Sequence, residues 1–218
     1  MTNNIKLSYQ RLNSILKSLK LFSFSFLFIL GFPLYSSSAG NLIDSAQTSF
    51  QNQEYKKALE YCDEISKQDS LDHELLYIRG TSAYLLSIYD SAVIDFTSLL
   101  RLNQIMANPS TVVVILEARG HSFLKLQEYE SAISDFSESI QMDSTNWVTF
   151  YRRGLAYVSK DDYEHAIEDI DQALKFINSM PDMQEVRDSL QGVRDKILWL
   201  QEQAISKSEN SWVSCFKR

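Results

Sequence analysis

Arg119 to Phe136 reads RGHSFLKLQEYESAISDF, and the chain repeats this pattern on both sides. Arg79 to Phe96 reads RGTSAYLLSIYDSAVIDF, and Arg153 to Ile170 reads RGLAYVSKDDYEHAIEDI. Each copy has Arg-Gly, a Tyr nine residues after the Gly, an Ala three later and an Asp three after that. A weaker copy comes first, with Ala46 in place of the Gly, then Tyr55 and Ala58. The steps Ala46–Gly80 and Gly120–Gly154 are equal in length, and Gly80–Gly120 is longer. The longer step implies a six-residue insertion around Gln104 to Ser110, where Pro109 marks a break.

Inside each unit the apolar residues recur at three- and four-residue steps. Val113, Leu116, Gly120, Phe123 and Leu124 do so in the first half of the third copy. Ala132, Ile133, Phe136 and Ile140 do so in the second. Each unit is therefore two antiparallel helices. A small residue on each lets the backbones approach, and large side chains fill the space around that contact. One unit cannot bury its own apolar face, so the units must stack.

The equal steps have a period of about 34 residues, which resembles the tetratricopeptide repeat. Gly80, Gly120 and Gly154 stand at one small position of that repeat, and Ala58, Ala92, Ala132 and Ala166 at the other. Tyr55, Tyr89, Tyr129 and Tyr163, and then Phe96 and Phe136, fill its large positions, with Cys62 and Ile170 as departures. Ser70 and Ser144 stand where the family ends a repeat with Pro. The resemblance covers residues 39–180 as four repeats, 39–72, 73–106, 113–146 and 147–180. It implies an all-α fold, a right-handed α-solenoid of helix hairpins.

The resemblance also implies a concave groove, lined by the first helices, that receives a segment of a partner protein. Groove positions carried over residue by residue give Phe50, Tyr77, Thr81, Tyr84, Glu117, His121, Tyr151 and Arg152 as partner-binding candidates. Several of the tyrosines equally suit packing between repeats. Chaperone-binding members clamp a terminal carboxylate with Lys, Asn and Arg. Here Ile43, Gln47, Ile78, Val114 and Ala118 stand at those positions and only Arg152 matches in kind, so that clamp is not expected. The acidic groove residues, Glu117 among them, fit a basic or neutral partner segment weakly.

Arg79, Arg119 and Arg153 are followed, at one constant spacing, by Asp95, Asp135 and Asp169. The first repeat has neither, carrying Ser45 and Tyr61 instead. Joint presence and joint absence predict an ion pair between the two helices of one repeat, with pairing to the next repeat as the alternative.

After Pro181 a different pattern begins. Met183, Val186, Leu190, Val193, Ile197, Leu200 and Ala204 form an alternating three-four stripe, with Trp199 off it. It reads as a capping helix over residues 181–207, or as a seam for a homodimer through residues 183–204. Residues 208–218 read as a flexible tail.

The ends differ in charge. Residues 1–39 hold Lys6, Arg11, Lys17 and Lys20 and no acid, so they carry +4 of a total of −7 and leave −11 on the rest. The uncharged run Leu21 to Tyr35 follows, then Ser37 and Ala39. This is the order of a secretory signal peptide cleaved after Ala39. Retained, residues 21–35 would be a membrane anchor, although that run falls short of the roughly 20 apolar residues that span a bilayer. An organelle transit peptide is the third reading. Export places the body in the periplasm or outside the cell.

With a pI near 5.0 the chain lacks the basic footprint of a nucleic-acid binder. Two Cys and three His supply neither a disulfide scaffold nor a histidine-rich metal site. His73, His121 and His165 occupy different repeat positions, and no nucleophile, metal or phosphate-loop motif occurs. No enzyme, cofactor or metal is expected. The chain reads as a protein-binding scaffold; the alternative is a self-associating part of an envelope or membrane assembly.

Overall fold

The computed structural model describes residues 38–67, 71–102 and 108–216, with side chains within residues 40–207. Residues 1–37 of the leader, and Ser70, lie outside the described residues. Nine helices are described: α1 (Ser38–Gln51), α2 (Tyr55–Ser66), α3 (His73–Leu85), α4 (Tyr89–Leu100), α5 (Pro109–Lys125), α6 (Tyr129–Met142), α7 (Trp147–Ser159), α8 (Tyr163–Asn178) and α9 (Gln184–Phe216). The first eight pair as antiparallel hairpins that stack, and α9 packs on α8. No strand occurs among the described residues. The molecule is an α-solenoid of helix hairpins closed by a long last helix.

Local chemistry sets the helix starts. Asp72 caps α3 by accepting from the Leu75 amide at 2.9 Å, and Asn146 caps α7 by accepting from Val148 at 3.0 Å. Asn108 caps α5, and Pro109 then occupies the first turn, where its missing N–H costs nothing. Helix α5 therefore begins four residues before the boundary at 113 drawn from the repeat pattern. Part of the expected insertion is helix.

The turn inside each hairpin is built identically. Gln53, Ser87, Gln127 and Asp161 take the left-handed conformation, with φ of 63°, 65°, 62° and 57°. The next residue donates its amide back across the turn, as Glu128 does to the Phe123 carbonyl at 2.9 Å. None of the four is Gly, so composition alone does not reveal this turn.

The core lies between the two helices of each hairpin and between neighbouring hairpins. Ala58, Ala92, Ala132 and Ala166 are all fully buried. A Cβ on Gly120 would lie 2.9 Å from the Phe136 ring and 3.1 Å from Asp135 Cβ. Glycine is needed there for close approach. The first repeat solves the same contact differently, with Ala46 facing a fully buried Cys62 where the others place Gly against Phe or Ile. A larger residue on one helix is offset by a smaller one on the other. Burial pushes the Cys62 thiol up to about 12, so it acts as a small apolar filler, not a nucleophile.

Helix α9 continues to Phe216, past the boundary at 207 beyond which the sequence reads as a flexible tail. No Gly or Pro follows Gly192, so nothing in the sequence stops the helix. No helix among the described residues is long and apolar enough to cross a membrane.

Candidate partner-binding surface

The three arginine–aspartate pairs form within single repeats. Arg119 donates from Nε to Asp135 Oδ2 at 2.8 Å and from Nη2 to Oδ1 at 2.7 Å. Arg79–Asp95 and Arg153–Asp169 repeat this fork at 2.6 to 2.9 Å. The aspartates are buried, because each Cβ packs beside the repeat glycine. Burial pushes the Asp135 and Asp169 carboxyls upward, and the hydrogen bonds from their arginines pull them back down.

The remaining nitrogen of each arginine reaches the repeat before. Arg119 Nη1 donates to Thr97 at 3.2 Å, Arg153 Nη1 donates to Ser137 at 2.9 Å, and Arg79 lies 3.5 Å from Asp63. The pairing expected within one repeat is therefore met in all three, the alternative pairing to the next repeat is not, and the second contact of each arginine tethers the preceding repeat. Asp171 occupies the corresponding position in the fourth repeat, and Arg194 of α9 binds it at 2.5 Å. Helix α9 thus docks on α8 as a further first helix would.

The first helices of successive hairpins approach one another, α1 to α3, α3 to α5 and α5 to α7, and so line the inner face. The groove candidates fall on this row but divide into three kinds. Phe50 and Tyr77 meet edge to face at 6.4 Å, and Tyr84 meets His121 at 5.5 Å. Tyr55 and Tyr89 join these two clusters from the second helices. Phe50, Tyr77, Tyr84 and His121 are thus half-buried aromatic joints between adjacent repeats. Burial raises the Tyr77 hydroxyl, and Thr81 hydrogen-bonds it.

Glu117 is a tether. It accepts from Asn146 at 2.6 Å and from the buried Thr149 hydroxyl, tying α5 to the start of α7. Glu74 likewise accepts from Gln47 at 2.9 Å. In each acid it is Oε1 that is held across the repeat boundary, by neutral donors that leave the carboxylate charged. Tyr151 is only 8% exposed and belongs to the core around α7, α8 and α9. It is not available to a partner, because its side chain is taken up in that core.

Arg152 is half-buried and forms no ion pair among the described residues. Val114 on the inner row is 49% exposed, and Leu155 and Val158 are half-buried. The carboxylate-clamp positions single out Val114 only as an absence. Its exposure depends on the tilt of α5, which no spacing encodes.

The stripe of α9 is split. Val186, Leu190 and Ile197 are buried against α8, whereas Ala204 is exposed. The proximal half of the seam read from sequence is therefore a cap.

Two segments, residues 115–146 and 149–179, match the tetratricopeptide repeat family. No curated protein matches the chain in sequence. Among solved structures, MamA aligns over 78% of this chain and 92% of its own, with a TM-score of 0.57 and 16% identity. MamA from Desulfovibrio magneticus RS-1, from residue 41 onward, aligns over 78% and 98%, with a TM-score of 0.53 and 21% identity. YrrB, a tetratricopeptide repeat protein with an unusual peptide-binding site, aligns over 72% and 75%, with a TM-score of 0.59 and 19% identity. These likenesses concern the fold. Residues 115–146 and 149–179 are tetratricopeptide repeats within an α-solenoid.

Proposed function

We propose that the protein is a non-enzymatic scaffold that holds a segment of a partner protein along the inner row of α3, α5 and α7. The carrying observation is the composition of that row. Thr81, Val114, Leu155 and Val158 present a partly open apolar strip, and Arg152 is a cation with no ion pair among the described residues. Glu74 and Glu117 take their hydrogen bonds from neutral groups and keep their charge, so the row is of mixed sign with Arg152 as its cation. It suits a segment with apolar side chains and a carboxylate placed at Arg152. The peptide-binding site named for YrrB supports a groove reading. Rigid first helices hold the strip in place before the partner arrives, which lowers the ordering cost of binding.

Selection from a random displayed-peptide library tests this. Selected peptides are expected to pair apolar residues with Asp or Glu, and Arg152→Glu with Val114→Glu is expected to weaken them at least tenfold with helicity unchanged. Equal binding by the variant would remove the site from the inner row. Tyr151 is left intact because its loss would disturb the core.

We also propose that residues 1–39 direct export and are removed, which leaves the mature chain in the periplasm or outside the cell. The acid-free basic stretch and the uncharged run Leu21 to Tyr35 support this. Sequencing of the protein from its own cells is expected to begin at Gly40. An intact Met1 terminus on membrane-bound protein would support the anchor instead.

A further inference from the structure

The last helix has two different outer faces. Along its capping half the side away from α8 carries Gln184, Glu185, Asp188 and Gln191, as the exposed end of a solenoid requires. Beyond Val193 this changes. Ile197, Leu198, Trp199 and Leu200 follow one another around a full turn, so this turn is apolar on every side. Only Ile197 is fully covered, while Trp199 is 56% exposed and Ile205 52%. A helix that is apolar all round belongs inside a larger packed unit.

The α8–α9 register shows how little of that unit the described residues supply. Arg187 reaches the Ile177 carbonyl at 3.3 Å and Arg194 reaches Asp171, so the two helices run antiparallel. Continued at that spacing, Tyr163, the first residue of α8, falls opposite roughly residue 202. The rest of α9, to Phe216, projects past α8 by about 20 Å.

Charge selects the occupant of this turn. Lys196, Trp199 and Glu202 step by three along one side of the helix, all exposed, and neither charge has an ion-pair partner among the described residues. An antiparallel pair of such helices centred on Trp199 sets each Glu202 opposite the other copy's Lys196. The strip is self-complementary, as a two-fold contact must be. An anionic lipid surface fits less well, because the rest of the molecule carries a large negative charge.

We propose that the protein forms a two-fold dimer through the side of α9 that faces away from α8, with Trp199 at the axis and Lys196–Glu202 pairs on either side. The contact lies on the side of α9 turned away from α8, so each solenoid and its inner face stay open. This inference is independent of the groove reading, and its failure would leave that reading standing.

Sedimentation equilibrium of the mature chain, Gly40 to Arg218, over a range from low to high micromolar concentration, tests it, with flotation on anionic phosphatidylserine–phosphatidylcholine vesicles run in parallel. The wild type is expected to dimerise with a micromolar Kd, and Trp199→Glu to sediment as a monomer with unchanged helicity. Lys196→Glu and Glu202→Lys are each expected to weaken the dimer about tenfold, and the double exchange to restore most of it. A wild type that stays monomeric throughout, or that binds vesicles in place of itself, would overturn the proposal. So would a double exchange no better than the singles. Because the exchanged residues are exposed, failure to fold is not an expected outcome.

Discussion

Replacing Arg119 by Ala is expected to destabilise the protein by about 3–5 kcal/mol, because it leaves a buried carboxylate without its partner. Asp135 is 3% exposed and takes both of its strong hydrogen bonds from Arg119. Loss of the arginine also removes the bond to Thr97, the tether to the preceding repeat. Urea unfolding followed by circular dichroism measures the cost, which corresponds to a fall in Tm of roughly 10 °C in a chain of this size. In the double variant with Asp135→Ala, much of the loss is expected to return, since no buried charge remains. Additive losses would show that the pair is not coupled.

The same variant has a defined pH signature. Burial already pushes the Asp135 carboxyl above its ordinary range, and Arg119 opposes that shift. Without the arginine the folded-state pKa rises further, while the unfolded value stays near the ordinary aspartate value of about 3.9. Below that value both states are protonated and the desolvation penalty vanishes. The penalty grows as pH rises and levels off above the folded-state pKa. The deficit of Arg119→Ala relative to wild type is therefore expected to shrink as pH falls through the raised folded-state pKa, and to have lost its electrostatic part by about pH 4. A pH-independent deficit would mean that the arginine acts through packing alone.

What the sequence made legible is what repeats. Gly120, Ala132 and Phe136 announce a close helix contact because the same sizes recur in register, and the Arg–Asp pairs announce themselves by appearing and vanishing together. The third contact of each arginine was not legible. Asp63, Thr97, Ser137 and Asp171 occupy equivalent positions but share only a polar side chain, so no identity marks the row. The groove was legible as a row and not as a function. Spacing puts Tyr151 and Arg152 side by side on α7, but burial separates them, since one joins the core cluster and the other stays half open. Position along a helix fixes direction; only the neighbouring helix decides exposure.

The helix contact yields the second large effect. Phe136 is completely buried, and its ring lies against the position where Gly120 lacks a side chain. Phe136→Ala is expected to cost about 3–5 kcal/mol, the sum of lost burial and an unfilled cavity. Gly120→Ala in the wild type drives a Cβ to 2.9 Å from that ring, and the strain is expected to outweigh the roughly 1 kcal/mol gained in helix propensity. Combined, the two changes oppose each other: the new methyl enters space the ring has left. The double variant is expected to be more stable than Phe136→Ala alone. The fourth repeat already shows the trend, because Ile170 in place of Phe leaves a Cβ on Gly154 its nearest neighbours at 3.3 Å. The first repeat completes the exchange with Ala46 and Cys62. A thermodynamic cycle over Gly120 and Phe136 therefore asks whether the chain's own variation between repeats is a set of solutions to one packing problem. Strict additivity would show that the two sites are independent and that the pairing of sizes across the repeats has another origin.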